Sequence, residues 1–530
     1  MTDVMRLRNG AAVCALLAAA FVAAPASANI DGGLKIINAV HHDTSLPLRD
    51  MIRQYNKQHA HDIHVGHHEI PLLPGPATKH LPANVADGIK GPGFVPGKVA
   101  TTDLLNFDGL NDTNSDCSCA PPDTNGAVGA TQYVQWVNAA FAIYNKTTGA
   151  LISGPTAGNA LWSGFAGSCQ SSNSGDPIAQ YDKVAGRWVM QQPVFSGAPY
   201  KMCLAISTTS DATGSYNRYE FDFSNVFPDY PKVGVWPVSG NNAYFLSVRS
   251  FLNGSTFQGS QACGMDRTSM LAGSAATMQC KLISGQDGVL PQDFDGTTLP
   301  PSGADELFAN HSGSNKIQFW RMHVDFANPN NTTLSGATGV TVPSFSQAGN
   351  VPQKGTTTTL DSLAGFTMYR LAYRNFGDHE SIVATHSVSV SGRAAVRWYE
   401  FRTPSSPTLF QSGNVKNKKL HYWTGSIAMD KAGNMAVGYS TSSANDFPGI
   451  TYSGRGTSDN AGKMKKHAGG NTTNGSGSQT SGLTRWGDYS AMSVDPIDDC
   501  TMYYTNEYLK TTGSFNWSTK VNSFKFNNCS

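Results

Sequence analysis

The sequence predicts an all-β protein: a seven-bladed β-propeller preceded by an N-terminal leader. Three observations carry this expectation. A short Asp-containing phrase opens strand after strand, it recurs at a regular step, and the composition is that of a turn-rich strand protein. The phrase reads Gly175-Asp176-Pro177-Ile178, Gly377-Asp378-His379-Glu380 and Gly487-Asp488-Tyr489-Ser490, with related forms beginning at Asp123 and Asp229. The steps from 123 to 176 and from 176 to 229 are 53 residues each; from 229 to 378 is 149, and from 378 to 488 is 110. A fixed period of about 50 residues marks a repeat architecture. Strand-rich units of that length suit propeller blades. Glycine (54 residues), Asn, Ser and Thr are abundant, and long helical patterns are nearly absent.

The elements follow in chain order. Residues 1–28 read as a secretory signal, with Arg6 and Arg8 ahead of an apolar run from Val13 to Ala24 and a small-residue cleavage site at Ala26-Ser27-Ala28. The apolar run is too short to span a bilayer. The expected location is therefore outside the cytoplasm, periplasmic or extracellular, with no membrane insertion. Residues 29–102 form a His/Pro-rich leader or prosegment. They hold eight of the fourteen histidines (His41, His42, His59, His61, His64, His67, His68 and His80) and a Pro-rich stretch from Pro71 to Pro96. Asp50 to Asn56 suits a short helix. The leader reads either as a metal-binding or pH-sensing prosegment or, preferred here, as a polar segment that packs on the main domain or is removed.

Residues 103–530 are the expected propeller, in seven units. They start at Asp123, Asp176, Asp229, near Asp305, at Met368, near Gly425 and at Asp488. Trp136, Trp188, Trp236, Trp320, Trp398, Trp423 and Trp486 fall one to each unit or its boundary, as expected where sheets pack face to face. Leu104–Leu110 is the candidate for a strand that closes the last blade. A two-sheet sandwich suits this length poorly, because single cores stop growing near about 250–300 residues.

Eight cysteines remain after Cys14 leaves with the signal, an even count that in an exported chain argues for disulfides. Cys263–Cys280 and Cys500–Cys529 are the expected pairs, with Cys169–Cys203 next. Cys117 and Cys119, two apart, are expected to pair elsewhere more easily than with each other. Charged residues are only 14% and net charge is +1, with no basic stripe, so nucleic acid is not an expected partner. Gly-x-Ser-x-Gly, His-Glu-x-x-His, Walker and dinucleotide signatures are all missing from the sequence.

Phrases such as Asp176-Pro177-Ile178…Tyr181-Asp182…Gly186-Arg187-Trp188, and Ser426-Ile427-Ala428-Met429-Asp430…Gly433-Asn434, resemble blades of exported bacterial propellers of the sialidase-like superfamily. The resemblance covers most of residues 120–526 and is one of blade style. The sialidase Asp-box is degenerate; its nearest form is Thr209-Ser210-Asp211-Ala212-Thr213-Gly214-Ser215-Tyr216.

If the phrases are equivalent, Asp123, Asp176, Asp229, Asp378 and Asp488 gather at one mouth of the channel. Converging carboxylates repel, so some must keep their protons or a cation must sit among them. The first outcome supplies the acid and base that glycosidases need, and the second would suit a structural Ca²⁺ ion. The plain alternative is that each Asp caps its own turn. Two denser clusters adjoin these phrases: Arg374 with His379 and Glu380, and Arg485-Trp486 with Tyr489 and Glu507. The expected catalytic set is Asp176, Asp229, Asp488, Glu380 and His379. The expected substrate-binding set is Arg374, Arg485, Trp486, Tyr489 and Asp123. The function expected from these sets is that of a monomeric extracellular glycoside hydrolase, or a uronate lyase variant, acting on a polysaccharide or glycan without a required cofactor. The alternative is a non-catalytic carbohydrate-binding or adhesin-like propeller.

Overall fold

A computed structural model describes residues 33–58, 67–79, 85–115, 117, 119–468 and 472–530. The expected signal sequence, and His59, His61, His64 and His80 of the leader, lie outside the described residues. The rest is an all-β propeller. Strands such as Asn125–Val128, Ile178–Asp182 and Thr367–Asn375 are buried along nearly their whole length, which is what a ring of face-packed sheets requires.

Grouped by antiparallel pairing, the strands form seven meanders. The first strands of the seven are Asn125–Val128, Ile178–Asp182, Val226–Val238, Leu290–Asp295, Thr367–Asn375, His421–Met429 and Ala491–Val494. Each first strand packs on the next, and Ala491–Val494 packs back on Asn125–Val128, so the ring is closed. Two links join neighbouring meanders into wider sheets. Leu290–Asp295 pairs in parallel with Thr367–Asn375. Lys35–Thr44, from the leader, pairs with Tyr216–Ser224 on one side and Thr277–Ser284 on the other.

The last meander supplies only three strands of its own. Its fourth is Thr101–Asn111, antiparallel to Trp517–Phe526, which includes the expected Leu104–Leu110 segment. Closing the ring with a strand from the other terminus removes a free edge. A further leader strand, Phe94–Lys98, lies in parallel on Met464–Lys466. The leader helix Leu48–Gln58 buries Leu48, Met51 and Ile52, whose spacing puts them on one face. That face joins the cluster holding Trp162, Phe165 and Trp188.

The disulfides are Cys169–Cys203, Cys263–Cys280, Cys500–Cys529 and Cys117–Cys119. The last corrects the expectation that Cys117 and Cys119 pair elsewhere. Cys263 and Cys280 face each other across neighbouring strands, Cys169 on the short helix Ser168–Ser171 reaches Cys203 in Tyr200–Ser207, and Cys500 and Cys529 flank the strands of the last meander. That leaves the two neighbours for each other. A second correction concerns the fourth unit. Its first strand begins at Leu290, well before Asp305, because the Asp287-Gly288-Val289-Leu290 phrase starts it.

Candidate functional site

Four of the five repeated Asp residues meet where the first strands begin. Asp123 and Asp176 each stand just before a first strand with backbone in the left-handed region, φ 47° and 51°. That conformation is disfavoured for most side chains but tolerated by Asp, so it turns the chain sharply inward. Asp229 precedes a bulge at Tyr230 and Pro231, where Tyr230 has φ 53°. Asp488 precedes Ala491–Val494. All four side chains are buried.

Their contacts form one network. Asp123 Oδ1 accepts from the Asp488 backbone N–H at 2.7 Å. Asn138 bridges two neighbours: its Nδ2 donates to Asp123 at 3.2 Å, and its Oδ1 accepts from the Asp176 N–H at 3.0 Å. Asp176 also accepts from the Tyr230 N–H at 3.2 Å. Asp229 and Asp287 share one guanidinium, with Arg249 NH1 at 2.6 Å from Asp229 and its Nε at 2.6 Å from Asp287. Arg485 pairs with Asp488 at 2.7 Å. Lys232 is fully buried, with Nζ 3.5 Å from the Tyr230 ring centroid and 4.0 Å from that of Tyr489. Its positive charge adjoins Asp176, Asp488, Asp123 and Asp229. Three cationic side chains, Lys232, Arg249 and Arg485, stand among the carboxylates. Among the described residues no group of three or more His, Cys, Asp or Glu is arranged to hold a metal ion.

Burial sets the protonation of this network. It drives the Asp123 carboxyl well above its ordinary range, helped by repulsion from Asp488 and Asp176. It raises Asp176 in the same way and pushes Asp229 up to about 7 despite Arg249. Glu507, whose Oε2 accepts from the Gly487 N–H at 2.9 Å, is pushed up to about 8. The Lys232 amine is pulled down to about 8 by burial, against the attraction of the carboxylates. A carboxyl that keeps its proton near neutrality, Glu507, therefore adjoins the Asp488–Arg485 ion pair.

The leader covers this end of the channel. The Ile70 N–H donates to Ala120 O at 2.7 Å. Arg485 Nε donates to Ile70 O at 3.2 Å, Arg249 NH2 to Leu73 O at 2.9 Å, and the Ala77 N–H to Asp287 Oδ2 at 2.9 Å. Leu72 and Ala77 pack on the core that contains Tyr230, Phe366 and Tyr489. Ile70–Thr78 therefore lies across several sheets and bonds to the same arginines that hold the carboxylates.

The remaining expected residues lie elsewhere. Asp378 does not join the other four. Gly377 and Asp378 belong to the turn between the first and second strands of their meander, at the opposite end of the ring, and the Asp378 side chain is 82% exposed. His379 bonds Asp378 at 2.7 Å and stacks on Phe376. Glu380 accepts from the Tyr373 hydroxyl. Arg374 forms a buried bidentate pair with Asp499, both contacts at 2.7 Å. Trp486 is buried beside Trp423 and donates to Ser440, and Tyr489 is buried too, so neither offers a face to a sugar as the chain stands.

Sequence reasoning passed over Asp287, Arg249, Lys232 and Asn138. Two of them carried a signal. Asp287-Gly288-Val289-Leu290 repeats the opening phrase, 58 residues after Asp229, and Lys232 interrupts the apolar run Tyr230–Val235.

No family model matches the chain, and no curated protein matches it. Among solved structures it is similar to the exo-β-1,3-galactanase of Phanerochaete chrysosporium, with 11% identity over 77% of this chain and 93% of that one, TM-score 0.29. It is also similar to the GH43 endo-arabinanase of Bacillus licheniformis, with 8% identity over 65% and 96%, TM-score 0.29. The N-terminal domain of Nup159 is similar at 8% identity over 87% and 99%, TM-score 0.34. At these levels the likenesses say nothing about what this chain acts on.

Proposed function

We propose that the protein is an extracellular carbohydrate-active enzyme, a glycoside hydrolase whose reacting groups are the carboxyls at the first-strand end of the channel, held latent by the Ile70–Thr78 segment. One observation carries the reading: Glu507, pushed up to about 8, lies against Gly487 and next to the Asp488–Arg485 pair. Glu507 is then the acid that protonates the leaving oxygen, and Asp488 the carboxylate that acts on the other side of the sugar. Asp229, at about 7, and Asp176 adjust the charge around them. Four disulfides suit an oxidising compartment outside the cytoplasm.

The covering segment supports latency, because a substrate reaching Asp488 must first displace the Ile70 and Leu73 carbonyls from Arg485 and Arg249. The test is a reducing-end assay on a polysaccharide panel, with the chain intact and after limited proteolysis. Activity that appears on proteolysis and is lost in Glu507→Gln and Asp488→Asn supports the reading. Activity that both variants retain refutes it.

A second reading is favoured by the completeness of the network. Asp123, Asp176, Asp229 and Asp488 each already hold a backbone N–H or an arginine. On that reading the network is a structural hub and the protein is a non-catalytic glycan binder. Binding to a glycan array without turnover, before and after proteolysis, distinguishes the two.

A further inference from the structure

At the opposite end of the ring, between the fifth and sixth meanders, a cavity of about 350 Å³ is lined by Phe376, His379, Arg402, Phe410, Met429 and Arg455 among others. It is built from strand ends: Arg393–Arg402 and Thr408–Val415 of one meander, His421–Met429 and Asp446–Arg455 of the next. Its floor carries two arginines with unequal partners.

Arg402 donates through Nε to Glu400 at 2.9 Å and lies over the Phe410 ring, 3.4 Å from its centroid. Glu400 is fully engaged, since it also accepts from Ser381 at 2.8 Å and from Gln411 at 2.5 Å. Arg455 is 6% exposed and its Nε has no hydrogen-bond partner; its NH2 donates to Asp459 O at 2.8 Å. The Asp459 carboxylate is occupied by Lys465 at 2.5 Å and by the Gly456 N–H. Glu400, Asp459 and Arg402 all lie near Arg455, but the hydrogen bonds of both carboxylates go elsewhere, so a buried donor is left unmet that an entering anion would satisfy.

We propose that this cavity is a second, non-catalytic site that binds the carboxylate of an acidic saccharide. Arg455 and Arg402 hold the carboxylate between their outward donors, since a planar fork matches a planar anion. Phe376, Phe410 and Met429 give the cavity an apolar lining beside the two arginines. Phe410 is half exposed, a large apolar ring left at the rim. Burial pulls the Arg455 guanidinium below its ordinary value despite the nearby Glu400 and Asp459 carboxylates, with Arg402 adding to the effect, and a bound anion would oppose it. The anion site stands on its own geometry; the choice of a sugar to carry the carboxylate rests on the carbohydrate reading above.

The probe is trigalacturonate, with neutral galactotriose and sodium sulfate as comparisons, titrated calorimetrically into the full disulfide-bonded chain. Trigalacturonate should bind, and galactotriose should bind at least about tenfold more weakly, since it lacks the charge-assisted contact. Arg455→Gln should weaken trigalacturonate by a similar factor. Arg402→Gln, which keeps a donor for Glu400, and Phe410→Ala, both at partly exposed positions, should weaken it too. Glu507→Gln should bind like the parent chain, which separates failure of this site from failure of the hydrolase reading. Unchanged affinity in Arg402→Gln and Phe410→Ala, or equal binding of galactotriose, overturns the proposal. Sulfate binding as tightly as trigalacturonate overturns the saccharide and leaves a simple anion site.

Discussion

Glu507→Gln tests the protonation of the buried network directly. The Glu507 carboxyl sits at about 8 in the folded chain against 4.5 in an ordinary peptide, because burial disfavours its charge. The folded state therefore keeps a proton that the unfolded chain releases. Stability of the parent chain falls, through this group, as pH rises from about 4.5 to about 8, at up to about 1.4 kcal/mol per pH unit. At pH 7, two and a half units above the unfolded value, the cost is about 3 kcal/mol; at pH 5 it is under about 1 kcal/mol. Gln keeps an oxygen to accept the Gly487 N–H and has no proton to lose. The variant should gain on the parent chain by about 2–3 kcal/mol between pH 5 and pH 7. Guanidinium unfolding followed by tryptophan fluorescence at both pH values measures this, and groups common to both chains cancel in the difference. A stability difference that does not change with pH refutes the claim that Glu507 is held neutral, and with it the assignment of Glu507 as the acid.

Four further outcomes follow, two from this network and two from residues outside it. Lys232→Met leaves four buried carboxyls without the amine beside them and should destabilise the fold by about 3–5 kcal/mol, read in the same unfolding assay. Gly75 is buried against Asp287 and Arg249 with no room for a side chain; Gly75→Val should loosen the covering segment, seen as faster proteolysis near residue 75 and, on the hydrolase reading, turnover without protease. Cys263→Ser with Cys280→Ser opens a loop spanning 17 residues and should cost roughly 3 kcal/mol on the loop-entropy account. Asp378→Asn, on a side chain that is 82% exposed, should leave both the unfolding midpoint and any turnover unchanged.

Chain-local chemistry made the all-β class, the closing strand and three of the four disulfides legible in the sequence. Alternation of apolar residues, turn glycines and near-neighbour cysteines are properties of ten to thirty consecutive residues, and they act the same way wherever the segment ends up. What the sequence left open was phase. Gly175 and Gly377 both take a left-handed backbone, φ 97° and 89°, and both are followed by Asp, so the two phrases are alike in local terms. One starts a first strand and the other joins a first strand to a second, which places Asp176 in the buried network and Asp378 in solvent at the far end. The tertiary structure alone decided that difference. It also decided that a leader segment with no pattern of its own covers the carboxylates, because Leu72, Leu73 and Gly75 find their partners in sheets more than a hundred residues away. Burial then did what no residue count shows: it gave chemically similar carboxyls different protonation, since the cost of charge depends on the surroundings that folding assembles.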